Sequence, residues 1–118
     1  MNIFENYLKQ INKIILESKD FLNLANIDNL HDIILEIPPE HFNYDLSTNV
    51  CLVLAKANKT APNKLALKIK NLLFDKINHF EKIDIAGPGF LNIKLSKKGI
   101  AENINEIIMR FLIFINFY

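Results

Sequence analysis

Residues 83–95 read Ile83-Asp84-Ile85-Ala86-Gly87-Pro88-Gly89-Phe90-Leu91-Asn92-Ile93-Lys94-Leu95. Ile83 and Ile85 alternate with Asp84, the pattern of a half-buried strand. Gly87-Pro88-Gly89 is a turn, and its glycines tolerate the positive φ that tight reversals need. From Phe90 to Leu95 the alternation resumes. Two such runs joined by three residues predict a hairpin within an antiparallel sheet.

The flanking segments supply the other layer. After the hairpin, Ser96 can cap a last helix from about Lys97 to Arg110. Before it, Thr60-Ala61-Pro62 opens a helix, with Pro62 in the first turn where a missing N–H does no harm. Leu65, Ala66, Ile69, Leu72 and Leu73 make that helix's apolar face, and Lys64, Lys68, Asn71 and Asp75 line its other side. Upstream, Ser47 or Thr48 can cap a helix that buries Val50, Cys51 and Leu54 and ends near Asn58. Ile33–Ile37 is a β-branched run stopped by Pro38-Pro39, expected to be a strand. Residues 40–47 read as a loop with a brief strand near Tyr44–Leu46. Residues 3–19 read as an amphipathic helix, with Phe4, Tyr7, Leu8, Ile11, Ile14 and Ile15 at helical spacing. A short helix around Phe21–Ala25 is an option before the break at Asp28-Asn29. The sum is an α+β domain: a small, largely antiparallel sheet of about four short strands, packed against helices in two layers.

Composition bounds the function. The 118 residues are 50% hydrophobic and 23% charged, with a net charge of +1, which suits one globular domain and names no polyanion partner. The near-zero total hides a basic middle. Residues 46–82 hold seven lysines against two acids, a net of +5, whereas residues 1–45 hold three against eight. Ile, Asn and Lys supply 19, 16 and 13 residues against a single Arg, a bias of A/T-rich codons that weakens any argument from lysine abundance. The single Cys51 excludes an internal disulfide, and with no signal segment at Met1–Glu5 the expectation is a cytoplasmic protein. No membrane span is expected. Residues 111–118 are apolar at every position but Asn116 and do not fit a solvent-facing helix end. Either a partner or second copy covers residues 107–118, or this tail was not selected with the fold.

Catalytic constellations are missing. His31, His41 and His79 have no zinc-type spacing with one another or with Cys51, and read as surface residues. Cys51 reads as a small buried filler rather than a nucleophile. No metal or cofactor is expected. Two features remain. Lys56, Lys59, Lys64 and Lys68 form either a solvated face or a phosphate-contacting one. Phe90 and Asn92 share one side of a strand. By spacing alone Phe90 reads as core and Asn92 as a turn-adjacent surface residue. The same pair could also stack a single-stranded base and hydrogen-bond its edge.

Several segments, in order, bear on the second of these choices. Asp45-Leu46-Ser47-Thr48-Asn49-Val50 precedes Leu52-Val53-Leu54-Ala55-Lys56, then come Pro62 and Ala66, then Ile85-Ala86-Gly87-Pro88-Gly89-Phe90-Leu91-Asn92. The pattern resembles the N-terminal additional domain of arginyl-tRNA synthetase over about residues 1–105. One departure is Tyr44, where the family usually has glycine.

The resemblance implies a domain of residues 1–110 that contacts arginine-accepting tRNA at its dihydrouridine loop. Phe90 would stack on an exposed base and Asn92 would hydrogen-bond to it, with Lys56, Lys59, Lys64 and Lys68 beside phosphates. Asp45 and Asn49 would fix the loop and cap the helix, and Gly87, Pro88 and Gly89 would shape the turn. Residues 111–118 do not match the family, and the family's nucleotide-binding fold and His-x-Gly-His signature are absent. The chain is therefore expected to be a truncated synthetase that does not act as an enzyme by itself. The alternatives are a stand-alone interaction or RNA-binding module and a gene remnant. Lys94-Leu95-Ser96-Lys97-Lys98 superficially resembles a synthetase ATP loop, but here it should only close the hairpin and cap a helix.

Overall fold

A computed structural model describes residues 3–38 and 43–117. Helix α1 spans Ile3–Glu17, α2 Val50–Ala57 and α3 Pro62–Lys76. Strands are β1 Leu35–Glu36, β2 Leu46–Thr48, β3 Phe80–Ala86 and β4 Phe90–Leu95, followed by α4 Lys97–Glu102 and α5 Ile104–Phe117. The sheet order is β1-β2-β4-β3, antiparallel throughout. The expected α+β sheet-and-helix architecture is present.

Register sorts the side chains. Opposite residues of an antiparallel pair share a face, and successive residues alternate. Leu91 faces Ile85 and Thr48, while Ile93 faces Ile83 and Leu46. This is the inner face, packed on Tyr7, Ile11 and Ile15 of α1, Val50 and Leu54 of α2, and Ile69 and Leu73 of α3, all fully buried. The apolar stripe read in α3 is this core contact, and its exposed face carries Lys64 and Lys68. Asn92, Asp84 and Ser47 lie on the outer face.

Several expectations change. Only Leu35 and Glu36 of the 33–37 run pair as strand. Ile33 instead closes a 3-10 turn onto Leu30, and the Ile34 N–H donates to the Asn49 side chain, so their backbone is satisfied outside the ladder. The option of a helix at 21–25 is not realised, because Asn23 adopts φ 55° and reverses the chain after α1. The strand expected near Tyr44 begins at Leu46. Thr48 Oγ1 accepts from the Val50 N–H at 3.3 Å, while Asn49, which precedes α2, spends its amide on Ile34 and Asp32 across the fold. Asn49 thus holds the N-cap position of α2, its carbonyl accepting from the Val53 N–H, while its side chain serves as a tertiary clamp and makes no capping bond. Ser96 caps as expected, accepting from the Gly99 N–H at 3.0 Å. The final helix is two, broken at Asn103, whose amide donates to the Gly99 carbonyl and to the Tyr7 hydroxyl. The helix after the break runs on through the apolar tail to Phe117.

His79 is not the surface residue expected. Its Nδ1 lies 2.8 Å from the Tyr7 hydroxyl and its Nε2 2.7 Å from Glu102. With Asn103 donating to Tyr7, one consistent direction runs from Asn103 through Tyr7 to His79 Nδ1, and from His79 Nε2–H to Glu102. The chain of bonds ties α1 and the residue that precedes β3 to α4. Tyr7→Phe keeps the ring and leaves His79 Nδ1 without its donor. Urea unfolding should show a loss of about 1–3 kcal/mol. His31 is exposed beside Asp32, and His41 lies outside the described residues.

Cys51 is fully buried, and burial pushes its thiol up to about 12. The folded state holds the proton more tightly than the unfolded one. Its contribution is thus complete below the ordinary thiol range and declines as pH rises through 9 towards 12, by ~1.4 kcal/mol per unit. At pH 8 the thiol should resist an aromatic disulfide reagent in the native protein and react within minutes in denaturant.

Candidate nucleic-acid interface

The sheet's outer face is set by the hairpin. From the turn outward, Phe90 pairs with Ala86, Asn92 with Asp84, and Lys94 with Lys82. Asn92 also pairs with Ser47 on β2. Phe90 and Asn92 are both half-buried and lie outside the core, on the face opposite α1, α2 and α3. The register thus answers the ambiguity left by spacing: Phe90 is not a core residue.

The turn is tied to the helices. Gly89 has φ 134°, and its carbonyl accepts from the Leu52 N–H of α2's first turn at 3.2 Å. That N–H has no partner within its own helix, so the hairpin supplies one. A Cβ at Gly89 would stand 2.8 Å from Pro62 Cβ. The close approach fixes Phe90 relative to the starts of α2 and α3.

Asp45 is structural in a specific way. Its N–H donates to the Ile93 carbonyl, and its Oδ2 accepts from the Leu95 N–H at 2.8 Å. Both bonds extend the β2–β4 pairing past the end of β2. Tyr44, in the position where glycine was expected, turns its hydroxyl to donate to Asp84 Oδ2. That bond, with the nearby Lys82, holds the Asp84 carboxyl below the usual carboxylate range, and Asp84 in turn pushes the Tyr44 phenol up. The Tyr44–Asp84 contact was missed in the sequence. Counting pairs outward from Gly87-Pro88-Gly89 places Asp84 opposite Asn92 and would have found half of it.

Lys64 and Lys68 line a recess of about 200 Å³ with Leu22, Asn23, Leu24, Asn58, Thr60 and Leu65, between the turn after α1 and the start of α3. Lys68 Nζ sits 5.7 Å from the Phe21 ring centre. Lys56 is exposed on α2, and Lys59 follows that helix with φ 52°. Lys94 is exposed and pairs with Glu81, and Ser96 caps α4, so the 94–98 string closes β4 and starts a helix. Among the described residues no cluster of three or more His, Cys, Asp or Glu could hold a metal ion. Among the same residues, no helix is long and apolar enough to cross a membrane.

The family model for the arginyl tRNA synthetase N terminal domain matches residues 5–95. Arginine–tRNA ligase of Rickettsia peacockii is 40% identical over 108 residues, covering 92% of this chain and 18% of the relative. That of Pelagibacter ubique is 39% identical over 94 residues, covering 80% and 16%. That of Bartonella tribocorum is 45% identical over 98 residues, covering 82% and 16%. The chain thus spans less than a fifth of the length of these relatives. With the matched range ending at Leu95, the last residue of the hairpin that presents Phe90 and Asn92, the chain belongs to the arginyl-tRNA synthetase N-terminal domain family.

Proposed function

We propose that this chain acts as the tRNA-contacting N-terminal part of an arginine–tRNA ligase. Phe90 stacks on an exposed base of the dihydrouridine loop and Asn92 hydrogen-bonds its edge. Lys56, Lys59, Lys64 and Lys68 add phosphate contacts from the helical side. Residues 1–110 form the binding unit, which works in the cytoplasm and aminoacylates nothing alone. The observation that carries this is the placement of Phe90 and Asn92, half-buried on the sheet face opposite the helices. A ring and an amide so placed offer a stacking surface and an edge reader to a splayed base.

The test is direct binding of the 118-residue chain to arginine-accepting tRNA by fluorescence anisotropy, repeated from low to moderate salt. Log affinity should fall linearly with log salt, and Lys64→Gln or Lys68→Gln should each reduce the slope by about 0.7–0.9. Binding that ignores salt would remove the lysines from the interface, and no binding at low salt would overturn the proposal.

A further inference from the structure

Among the described residues β3 closes one end of the sheet, with β4 on one side and no strand on the other. The Asp45 N–H donates to the Ile93 carbonyl and the Leu95 N–H donates to Asp45, so Leu91, Ile93 and Leu95 turn their backbone groups towards β2. Phe90, Asn92 and Lys94 therefore turn theirs towards β3, onto Ala86, Asp84 and Lys82. Ile83 and Ile85 are left with an N–H and a C=O each aimed outward. Among the described residues nothing bonds to them there. Such a row of unpaired backbone groups is a template for another strand.

Charge decides which strand. A second copy of β3, antiparallel about a two-fold axis, must set outward groups against outward groups. Centred on Lys82, two ammonium groups meet. Centred on Asp84, two carboxylates meet. Centred on Ile83, the two Ile83 residues exchange N–H···O bonds, and each Lys82 stands opposite the other copy's Asp84. That is the closer kind of pair, with Cα atoms about 4.5 Å apart. Within one copy Lys82 Nζ already lies 3.5 Å from Asp84 Oδ2, so this register makes an alternating array of four charges. A lysine on an edge strand repels most incoming strands. Here one register turns that repulsion into attraction.

The helix layer agrees. Leu67, Lys70 and Phe74 lie on one side of α3 by their spacing of three and four. Tyr44 and Lys82 hold the Asp84 carboxyl low and Lys70 adds to them, which places that side beside β3. Leu67 and Phe74 are nevertheless 58% and 50% exposed. They flank Lys70, so a two-fold axis at Ile83 brings Leu67 of one copy towards Phe74 of the other.

We infer that the free edge of β3 docks a second copy of this chain, which pairs about Ile83 and continues the sheet across a two-fold axis. The axis stands perpendicular to the sheet. Both outer faces, with Phe90 and Asn92, therefore lie on one side and stay uncovered. The inference does not depend on the RNA-binding role.

The experiment is sedimentation equilibrium of the 118-residue chain over a wide concentration range, with each variant first checked for an unchanged thermal transition. The unmodified chain should show a reversible monomer–dimer equilibrium that weakens with salt. Lys82→Asp and Asp84→Lys each set like charges opposite one another and should weaken association at least about tenfold. An equimolar mixture of these two variants should dimerise again, because every facing pair is then opposite in charge. The double variant should do so by itself. Ile85→Pro removes an outward N–H that β4 does not use and should also favour the monomer. A chain that stays monomeric at the highest concentration overturns the inference. So does a dimer that survives all three single variants, which places the contact elsewhere in the molecule. Failure of the mixture to recombine overturns it as well, because the lost contact was then not between these two residues.

Discussion

Gly89→Ala is expected to destabilise the domain by ~2–5 kcal/mol, lowering its thermal midpoint by roughly 10 °C or more. Two costs combine. The backbone holds φ 134°, which an L-residue with a Cβ adopts only under strain. The new methyl would also stand 2.8 Å from Pro62 Cβ, 3.1 Å from Leu52 N and 3.2 Å from Leu52 Cα. The latter two are helix backbone and cannot swing aside. Relief requires the hairpin to withdraw from α2, which breaks the bond from Leu52 N–H to the Gly89 carbonyl. Gly87→Ala is the control, because φ there is 55° and no atom lies within 4 Å of the added Cβ. Only the conformational cost of about 1–2 kcal/mol remains. Calorimetry on both variants should rank Gly89 well above Gly87. Equal losses would mean that the contact of the turn with α2 and α3 constrains nothing.

The same contact shows what the sequence could and could not convey. Gly87-Pro88-Gly89 between two alternating runs was enough to predict the hairpin, because turn chemistry and period are local. The need for glycine specifically at 89 is not local. It comes from Leu52 and Pro62, 37 and 27 residues earlier in the chain. The helices were readable for a similar reason, since Pro62, Ser96 and the apolar spacing in α1 and α3 are signals within one element. Ile33–Ile37 misled because β-branched content reports burial as much as pairing. Ile33 is buried in the core without joining the ladder. The Asn49 amide reached from the start of α2 to the segment at 32–34, a choice no local rule contains.

Site residues divide the same way. Phe90 and Asn92 share a face by the period of two, which is legible, but whether that face meets the core or the outside depends on register with β2 and β3. His79 had no nearby ligand-type partner in the sequence, so its engagement by Tyr7 and Glu102 could not be seen. Tyr44 stood out only as a residue in place of an expected glycine. Its meaning depends on Asp84, 40 residues later.

Phe90→Ala is expected to weaken tRNA binding by roughly 5- to 150-fold while leaving the domain folded. The range is the worth of one stacked base, ~1–3 kcal/mol, with each 1.4 kcal/mol counting for tenfold. Stability should change far less. Phe90 is half-buried on the outer face and its cross-strand partner is Ala86, so the pair contributes only the few tenths to about 1 kcal/mol of an exposed cross-strand contact. Fully buried Phe80, on the inner face against Tyr7, supplies the contrast. Phe80→Ala should cost ~3–5 kcal/mol and lower binding only in proportion to the unfolded fraction. Phe90→Leu separates stacking from bulk, because it keeps apolar area but removes the planar face, and it should recover less than half of the lost binding energy. Parallel loss of stability and affinity in Phe90→Ala would return that ring to a structural role and leave the base without its platform. Loss of affinity alone means the sheet exposes Phe90 at a cost in burial that only a bound base offsets.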